Sequence, residues 1–330
     1  MLTGASSGIG FQSALQLRRA GHALVLPCRD AATAEATVRR LAEAAGGGAG
    51  GGPEPLAPEC DLGDLESVGR CAADLMRRGE PIDSLVLNAG LQYTGAPEPQ
   101  VSVQGIELTI AVNHLAHQLL AQRLLPLLLA GRDPRLVVTA SEVHDPAAAG
   151  GRGGSPAGLG DLAGLRAGLK PAEGFAMVDG VSPFNADKAY KDSKLCNVLF
   201  AREAERRLRE LGHPLPVTAW SPGLVIPRSP GGFFRRSRVH NEWGQRLFAL
   251  VARDLLRLTE SVENAGVRLA AFAGGASPLP AGFSYFSNRV LGPGRLRFEA
   301  VSPSAEALDD AKARELWTLS ARVLGTEGLD

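Results

Sequence analysis

The chain has 330 residues, 45% of them apolar, and its 35 basic and 35 acidic side chains cancel to a formal charge of zero. That apolar content supports a sizeable core and excludes a disordered chain, while the absent net charge leaves no global field to hold a nucleic-acid backbone. Cys28, Cys60, Cys71 and Cys196 have no CxxC spacing, so they read as reduced thiols rather than a disulfide scaffold or a metal site.

Thr3-Gly4-Ala5-Ser6-Ser7-Gly8-Ile9-Gly10 runs straight into a helical pattern with Ala14, Leu15, Leu17 and Ala20 apolar and Gly21 at its end. Gly4, Gly8 and Gly10 allow a tight turn and close approach of a ligand. The first N–H groups of the following helix and its dipole attract a pyrophosphate, with Ser6, Ser7 and Ile9 in the same turn. Such a turn hangs from the end of a strand, yet only Met1 and Leu2 precede it. The first strand is therefore expected to be truncated and the natural start to lie upstream.

His22–Pro27 reads as a buried strand, followed by Cys28-Arg29-Asp30 and a helix through Ala44. At that strand end a carboxylate accepts the ribose hydroxyls of NAD, whereas an Arg pairs with the extra 2′-phosphate of NADPH. Arg29 comes first, which favours NADPH. Gly46–Pro58 is a low-complexity loop before a short strand ending at Cys60-Asp61-Leu62. A helix over Leu65–Arg77 follows, then a strand over Ile82–Leu87 ending in Asn88-Ala89-Gly90, and a long helix over Val101–Leu129 that contains Asn113. His114 and His117 lie on it without further ligand residues, so no metal site is expected.

Arg135–Thr139 is the next strand, ending at Ser141. A Gly/Pro-rich segment over 145–187 separates it from a helix that carries Tyr190 and Lys194 and runs to about Leu211. Four residues apart, Tyr190 and Lys194 share a helix face, and an ammonium there favours the phenolate and draws the tyrosine pKa toward the working pH. A solvated helix pair is the bland alternative. Pro216–Trp220 reads as a strand closed by Ser221-Pro222-Gly223, followed by a loop and helices over 224–258, a helix over Glu260–Ala273, a strand over Gly282–Ser287 and a C-terminal helix over Ser304–Leu324. The alternation predicts an α/β fold: a Rossmann-type doubly wound parallel sheet in three α/β/α layers. We read one domain over 1–330, with 1–140 as the cofactor half and 141–330 as the catalytic and substrate half.

Within 224–258, Arg228, Arg235, Arg236 and Arg238 mix with Phe233, Phe234 and Trp243. This suits a lid over a flat apolar ring bearing carboxylates, and equally a solvated basic face over core aromatics. Peripheral contact with anionic lipid would use the same residues. The apolar run Leu124–Leu129 contains Pro126 and is too short to cross a membrane.

Taken in order, Thr3–Gly10, Asp61-Leu62, Asn88-Ala89-Gly90, Asn113, Ser141, Tyr190-x-x-x-Lys194 and Pro222-Gly223 resemble the short-chain dehydrogenase/reductase family. The resemblance covers about Met1 to Gly223. It implies a Rossmann-type fold with Tyr190 as catalytic acid, Ser141 holding the substrate oxygen or the tyrosine, Lys194 on the nicotinamide ribose, and Asn113 completing a water-mediated proton relay. Asp61 and Leu62 would flank the adenine, Asn88, Ala89 and Gly90 would support the cofactor side of the sheet, and Pro222 and Gly223 would close it.

Leu159–Leu165, Met177–Gly180, Lys188–Asn197, Asn113–His117 and Asp310–Trp317 are similar to the light-dependent protochlorophyllide reductases. In that branch NADPH gives hydride to one C=C bond of a porphyrin-type ring, a tyrosine supplies the proton, and excitation of the pigment drives the reaction. Two positions depart. Leu224 stands where the branch has a cysteine tied to its photochemistry. Pro227 stands where the wider family commonly has a threonine contacting the nicotinamide amide, with Ser229 as the nearest substitute hydroxyl.

The resemblance implies an NADPH-dependent oxidoreductase for a bulky, apolar, carboxylated tetrapyrrole, located in the cytoplasm or, as a pigment enzyme, at the plastid thylakoid surface. One alternative is a light-independent carbonyl or alcohol oxidoreductase for a bulky, retinoid-like substrate, using the same Ser141, Tyr190 and Lys194. The other is a non-catalytic NADP-binding sensor or scaffold.

Overall fold

The computed structural model describes residues 1–46, 52–226, 235–240, 250, 258–276 and 279–326. Its sheet has five strands in the order β1 (Ser84–Leu87), β2 (Arg135–Thr139), β3 (Pro216–Ser221), β4 (Gly282–Gly292) and β5 (Arg295–Ala300). β1 to β4 pair in parallel and β5 turns back antiparallel on β4. The described helices include α1 (Gly8–Arg19), α2 (Ala31–Ala44), α3 (Leu65–Arg78), α4 (Leu108–Ile110), α5 (Ala116–Leu129), α6 (Ala163–Arg166), α7 (Ala186–Glu210) and α8 (Arg235–His240). Two more span Val262–Ala273 and Asp310–Leu324.

The three layers follow from alternation along the strands. Leu85, Leu87, Leu136, Val138, Val217 and Ala219 face the core shared with α3, α5, α7 and the C-terminal helix. Val86, Val137 and Trp220 face the opposite core, with α1 and the Val262–Ala273 helix. A strand buried on both faces must be apolar at successive positions, and β1 and β2 are.

The first-strand slot is occupied by Leu2 and Thr3. Leu2 bridges Val86 in parallel, donating its N–H to Val25 O at 2.9 Å, while Thr3 N–H donates to Val86 O at 3.0 Å. The glycine turn thus hangs from the sheet as the sequence requires. The expected strand over 22–27 forms only isolated bridges, Val25 to Leu56 and Cys28 to Glu59. Pro27, Pro55 and Pro58 lack the N–H donors a longer ladder needs.

The long helix predicted from Val101 starts only at Leu108. The buried Glu107 caps it through Thr109 and Ile110 N–H at 2.9 Å each, and Tyr93 donates to the same carboxylate. Among the described elements, β5 is one the periodicity did not reveal: its burial pattern gives no fully buried position. The C-terminal helix begins at Asp310, after a short 3-10 turn over Glu306–Leu308.

Candidate active site

Glycine and serine build one end of the site. A Cβ on Gly10 would lie 2.2 Å from Gly4 O, and one on Gly4, whose φ is +74°, would lie 2.8 Å from Ala89 Cα. Neither position accepts a side chain. On the outer side of the turn the space is open, since a Cβ on Gly8 would meet nothing within 4 Å. α2, α3 and α7 are N-capped by Asp30, Asp64 and Asn185. α1 is not: Ser7 makes no side-chain capping bond and the first turn carries no acidic residue. Its first N–H groups are left for an anion, which fits the pyrophosphate of a dinucleotide.

Thr3 fastens the turn to the end of β1. Its Oγ1 accepts the N–H groups of Asn88 and Ala89 at 2.9 and 3.0 Å and lies 3.0 Å from His117 Nε2. His117 Nδ1 is 3.1 Å from Asn113 O, so a proton on Nδ1 leaves Nε2 to accept from Thr3. Burial holds His117 down to about 4 and His114 to about 3, so both are neutral core residues. Asn88 Nδ2 donates to Thr3 O at 3.1 Å, and Thr139 Oγ1 donates to Asn88 Oδ1 at 3.1 Å.

Asn113 lies in a π-helical turn over Ala111–Leu115, between α4 and α5. Such widened turns re-aim one residue within a helix. Its amide is fully buried. Leu91 N–H donates to its Oδ1 at 2.8 Å, and its Nδ2 donates to Leu91 O and Ser193 Oγ, each at 3.0 Å. Ser193 in turn donates to Tyr190 O at 2.7 Å, which ties the turn to α7.

Ser141 stands just past β2 and caps a 3-10 turn over Glu142–His144. Its hydroxyl acts on the Tyr190 phenol, drawing that pKa down against the effect of burial. Lys194 is 2% exposed. Its ammonium donates to Thr139 O at 3.1 Å and lies 5.7 Å from the Tyr190 ring centroid. A Cβ on Gly90 would sit 3.3 Å from Asn113 Oδ1 and 3.5 Å from Lys194 Nζ, so these three share one corner.

The electrostatics differ from the expectation. Burial pushes the Tyr190 phenol above its usual value, with Ser141 pulling the other way, and burial lowers Lys194 to about 8. Part of the Tyr190 ring reaches solvent, but its hydroxyl is buried. Desolvation outweighs a cation that is bonded to a backbone carbonyl rather than to the phenol. Tyr190 is therefore protonated, the state a proton donor requires.

Arg29 pairs with Asp30 at 3.0 Å, both of them exposed. Asp30 Oδ1 is taken by Thr33 N–H at 2.7 Å, so this carboxylate serves α2. Asp61 Oδ1 accepts Gly63 N–H at 2.9 Å, which shapes the turn that presents Leu62. At the other end, Asn288 Nδ2 donates to Pro222 O at 3.3 Å and to Glu260 Oε2 at 3.0 Å. Gly223 has φ +81°, and a Cβ there would lie 2.7 Å from Asn288 O. Glu260 N–H donates to Leu224 O at 2.9 Å, and Val225 bridges Glu260 in parallel.

The structure brings Gly90, Asn113, Ser141, Tyr190 and Lys194 together and leaves Arg29 and Asp61 on neighbouring strand ends. Sequence reasoning missed Thr139, whose carbonyl accepts both Lys194 and Asn197. It also missed Lys188 and Asp192 as anchors. Lys188 Nζ is 2.7 Å from Asp192, 3.1 Å from Asp179 and 2.7 Å from Gly158 O. Gly158 N–H donates to Asp192 at 3.0 Å. Two turns of α7 thereby hold the 145–187 segment against the site, and the i, i+4 spacing of Lys188 and Asp192 was the available signal.

Arg236 is bonded to Gln100, and Ser237 donates to Gln92 O at 3.2 Å, so α8 docks beside the 92–100 loop. Pro227, Arg228, Ser229, Phe233, Phe234, Trp243 and the side chains of Arg235 and Arg238 lie outside the described residues. Among the described residues no group of three or more His, Cys, Asp or Glu side chains could hold a metal ion. No described helix is long and apolar enough to cross a membrane.

The profile of the short chain dehydrogenase family matches residues 1–151. Protochlorophyllide reductase A, chloroplastic, of Oryza sativa subsp. japonica is 36% identical over 98% of this chain and 80% of its own length. The protochlorophyllide reductase of Avena sativa is 36% identical over 98% of this chain and 99% of its own length. Among solved structures, an uncharacterized protein from Mycobacterium Paratuberculosis superposes with a TM-score of 0.66 at 27% identity, covering 99% of this chain and 92% of that one. An NADPH-bound short chain oxidoreductase from Pseudomonas aeruginosa PAO1 shares the fold at a TM-score of 0.58 and 19% identity, covering 87% and 93%.

Proposed function

The chain belongs to the short-chain dehydrogenase/reductase family of oxidoreductases, and from that premise we propose an NADPH-dependent reductase that adds hydrogen across one C=C bond of a porphyrin-type ring. One observation carries the substrate class. Similarity to proteins named protochlorophyllide reductase runs nearly the full length of the chain, and so through the 145–187 segment that Lys188 and Asp192 anchor beside Tyr190.

The uncapped α1 N-terminus and the open side of the Gly4–Gly10 turn would hold the pyrophosphate. Arg29 would face the 2′-phosphate, a role supported by the engagement of Asp30 as a helix cap. Lys194 would bind the nicotinamide ribose, its ammonium lowered by burial and so able to gain from hydroxyl acceptors. When bound, NADPH supplies the hydride.

The chain's own residues then manage the proton. Tyr190, kept protonated by burial, would donate from its hydroxyl, and Ser141, which favours the phenolate, would orient that hydroxyl or hold the substrate. Lys194 stabilises the phenolate that remains, and Asn113, at the same corner beside Gly90, leads toward a proton resupply path. The substrate's carboxylates would be met by the basic residues of 224–258.

A second reading is favoured by Leu224, which replaces the cysteine expected of a photochemical enzyme: a dark reductase of bulky ketones or aldehydes through the same Ser141 and Tyr190. Protein mixed with NADPH and protochlorophyllide, followed by absorbance in darkness and after a flash, separates the two. A product band appearing only after light supports the pigment reading. Absence of pigment binding, with Tyr190-dependent reduction of a lipophilic carbonyl in the dark, overturns it in favour of the second. NADPH binding with neither turnover leaves a sensor.

A further inference from the structure

We propose, resting on the reading of the glycine turn as an NADPH site, that Arg40 of α2 is a second cation for the 2′-phosphate of the adenosine ribose and a determinant of NADPH preference. Arg40 lies roughly two and a half turns into α2, yet its side chain reaches back to the glycine turn. Nη1 donates to Ser6 O at 2.9 Å, and the guanidinium carbon stands 4.4 Å from the centroid of the Phe11 ring on α1. The carbonyl and the ring together fix the plane of the guanidinium.

What remains of the group is free for an anion. Of five N–H donors, one is spent on Ser6, and no described carboxylate pairs with Arg40. Arg29, the cation at the strand end, is by contrast already shared with Asp30 at 3.0 Å. A phosphate carrying close to two negative charges is poorly matched by a half-neutralised arginine, and a second, unpaired one corrects the balance. Position agrees with charge. Ser6 lies in the glycine turn just before the uncapped start of α1, so the bond from Arg40 sets its guanidinium beside the N–H groups proposed to hold the pyrophosphate. The hydroxyl of Ser7 makes no capping bond and stands in the same turn.

A purely structural tie between α2 and the turn would use the same contact, and ligand binding tells the two apart. Dissociation constants of the full chain for NADPH, NADH, 2′,5′-ADP and 5′-AMP are measured by calorimetry for wild type, Arg40→Gln, Arg40→Lys and Arg29→Gln. The expected result for Arg40→Gln is about tenfold or greater weakening of NADPH and 2′,5′-ADP, with NADH and 5′-AMP within about twofold. Arg40→Lys keeps the charge without the fork and recovers part of the loss, and Arg29→Gln retains a residual preference for NADPH. Equal weakening of all four ligands, or no weakening, overturns the assignment. A wild type that binds NADH as tightly as NADPH also overturns it while the dinucleotide site stands. A wild type that binds neither dinucleotide overturns both.

Discussion

A buried phenol and a buried ammonium face each other in this site, and their titrations have opposite consequences. Tyr190 is held above its ordinary range by desolvation, so it carries its proton throughout the neutral region. Tyr190→Phe removes only the hydroxyl. It is expected to lower the rate of the chemical step by roughly 10²–10⁴-fold while the dissociation constant for NADPH changes by less than about twofold. Single-turnover kinetics and a binding titration check the split.

Lys194 titrates the other way. Its fall from 10.5 to about 8 means that the unfolded chain binds the extra proton between those pH values while the folded chain does not. Stability of the ligand-free protein therefore rises with pH across that window. Lys194→Met removes a buried charge and leaves Thr139 O still accepting from Asn197 at 3.2 Å. The variant should resist urea better than wild type at pH 7, by on the order of 3 kcal/mol, with the gap closing toward pH 10.5. A gap that does not narrow would show that burial of the ammonium is not the cause.

α7 does two jobs as an element. One face presents Tyr190 and Lys194, and Lys188 with Asp192 grips the 145–187 segment. Burial works against the Lys188 ammonium, but the Asp192 and Asp179 carboxylates outweigh it and hold its pKa above the ordinary value. Lys188→Met strands two carboxylates in a buried place and is expected to cost about 3–5 kcal/mol. Hydrogen exchange should show the loss first over residues 153–180, with the β1 and β2 amides still protected. Uniform loss of protection across the sheet would argue against the clamp.

Much at this scale was legible in the sequence. β2 appears where apolar β-branched residues run together, α2 ends at Ala44 as its pattern predicts, and α3 ends one residue past its predicted span. The long helix was misread at its start: Val101–Glu107 holds two valines, a serine and Gly105 at φ +74°, which disfavour a helix, and it folds back through a bridge between Val101 and Glu107. A buried carboxylate capping Leu108 cannot be told from a surface glutamate by periodicity. The strand over 22–27 was misread for a different reason, its prolines interrupting the pairing that its apolar run invites.

The candidate site residues stand where turns, strand ends and one helix face have narrow residue requirements, which is why the sequence singles them out. Gly10 against Gly4 O tolerates no other residue, and Tyr190 with Lys194 must share a face. Thr139 was hidden because it acts through its carbonyl, which every residue has. Arg40 was hidden because nothing in α2 alone announces that its side chain bends back to Ser6.

At the scale of the whole molecule, the edge of the sheet beyond β1 is its most sparsely paired part, built from isolated bridges. Leu2 reaches Val25 O by one hydrogen bond, Met1 and Thr3 pair with Val86, and the core around Leu2 includes Phe11, Trp220 and Phe272. Reading the chain as one folding unit predicts a single cooperative urea transition, coincident by tryptophan fluorescence and far-UV circular dichroism. Two separated transitions would instead divide the cofactor half from the rest.

In the proposed reaction hydride and proton reach the ring from different places, the proton by way of Tyr190. Turnover with NADPH deuterated at both C4 positions, in ordinary water and with protochlorophyllide as substrate, tests it through the mass of the product. One deuterium and one solvent-derived hydrogen are expected in each product molecule, and no product from Tyr190→Phe on the wild-type timescale. Product without deuterium, or a Tyr190→Phe variant that turns over as fast as wild type, would contradict it.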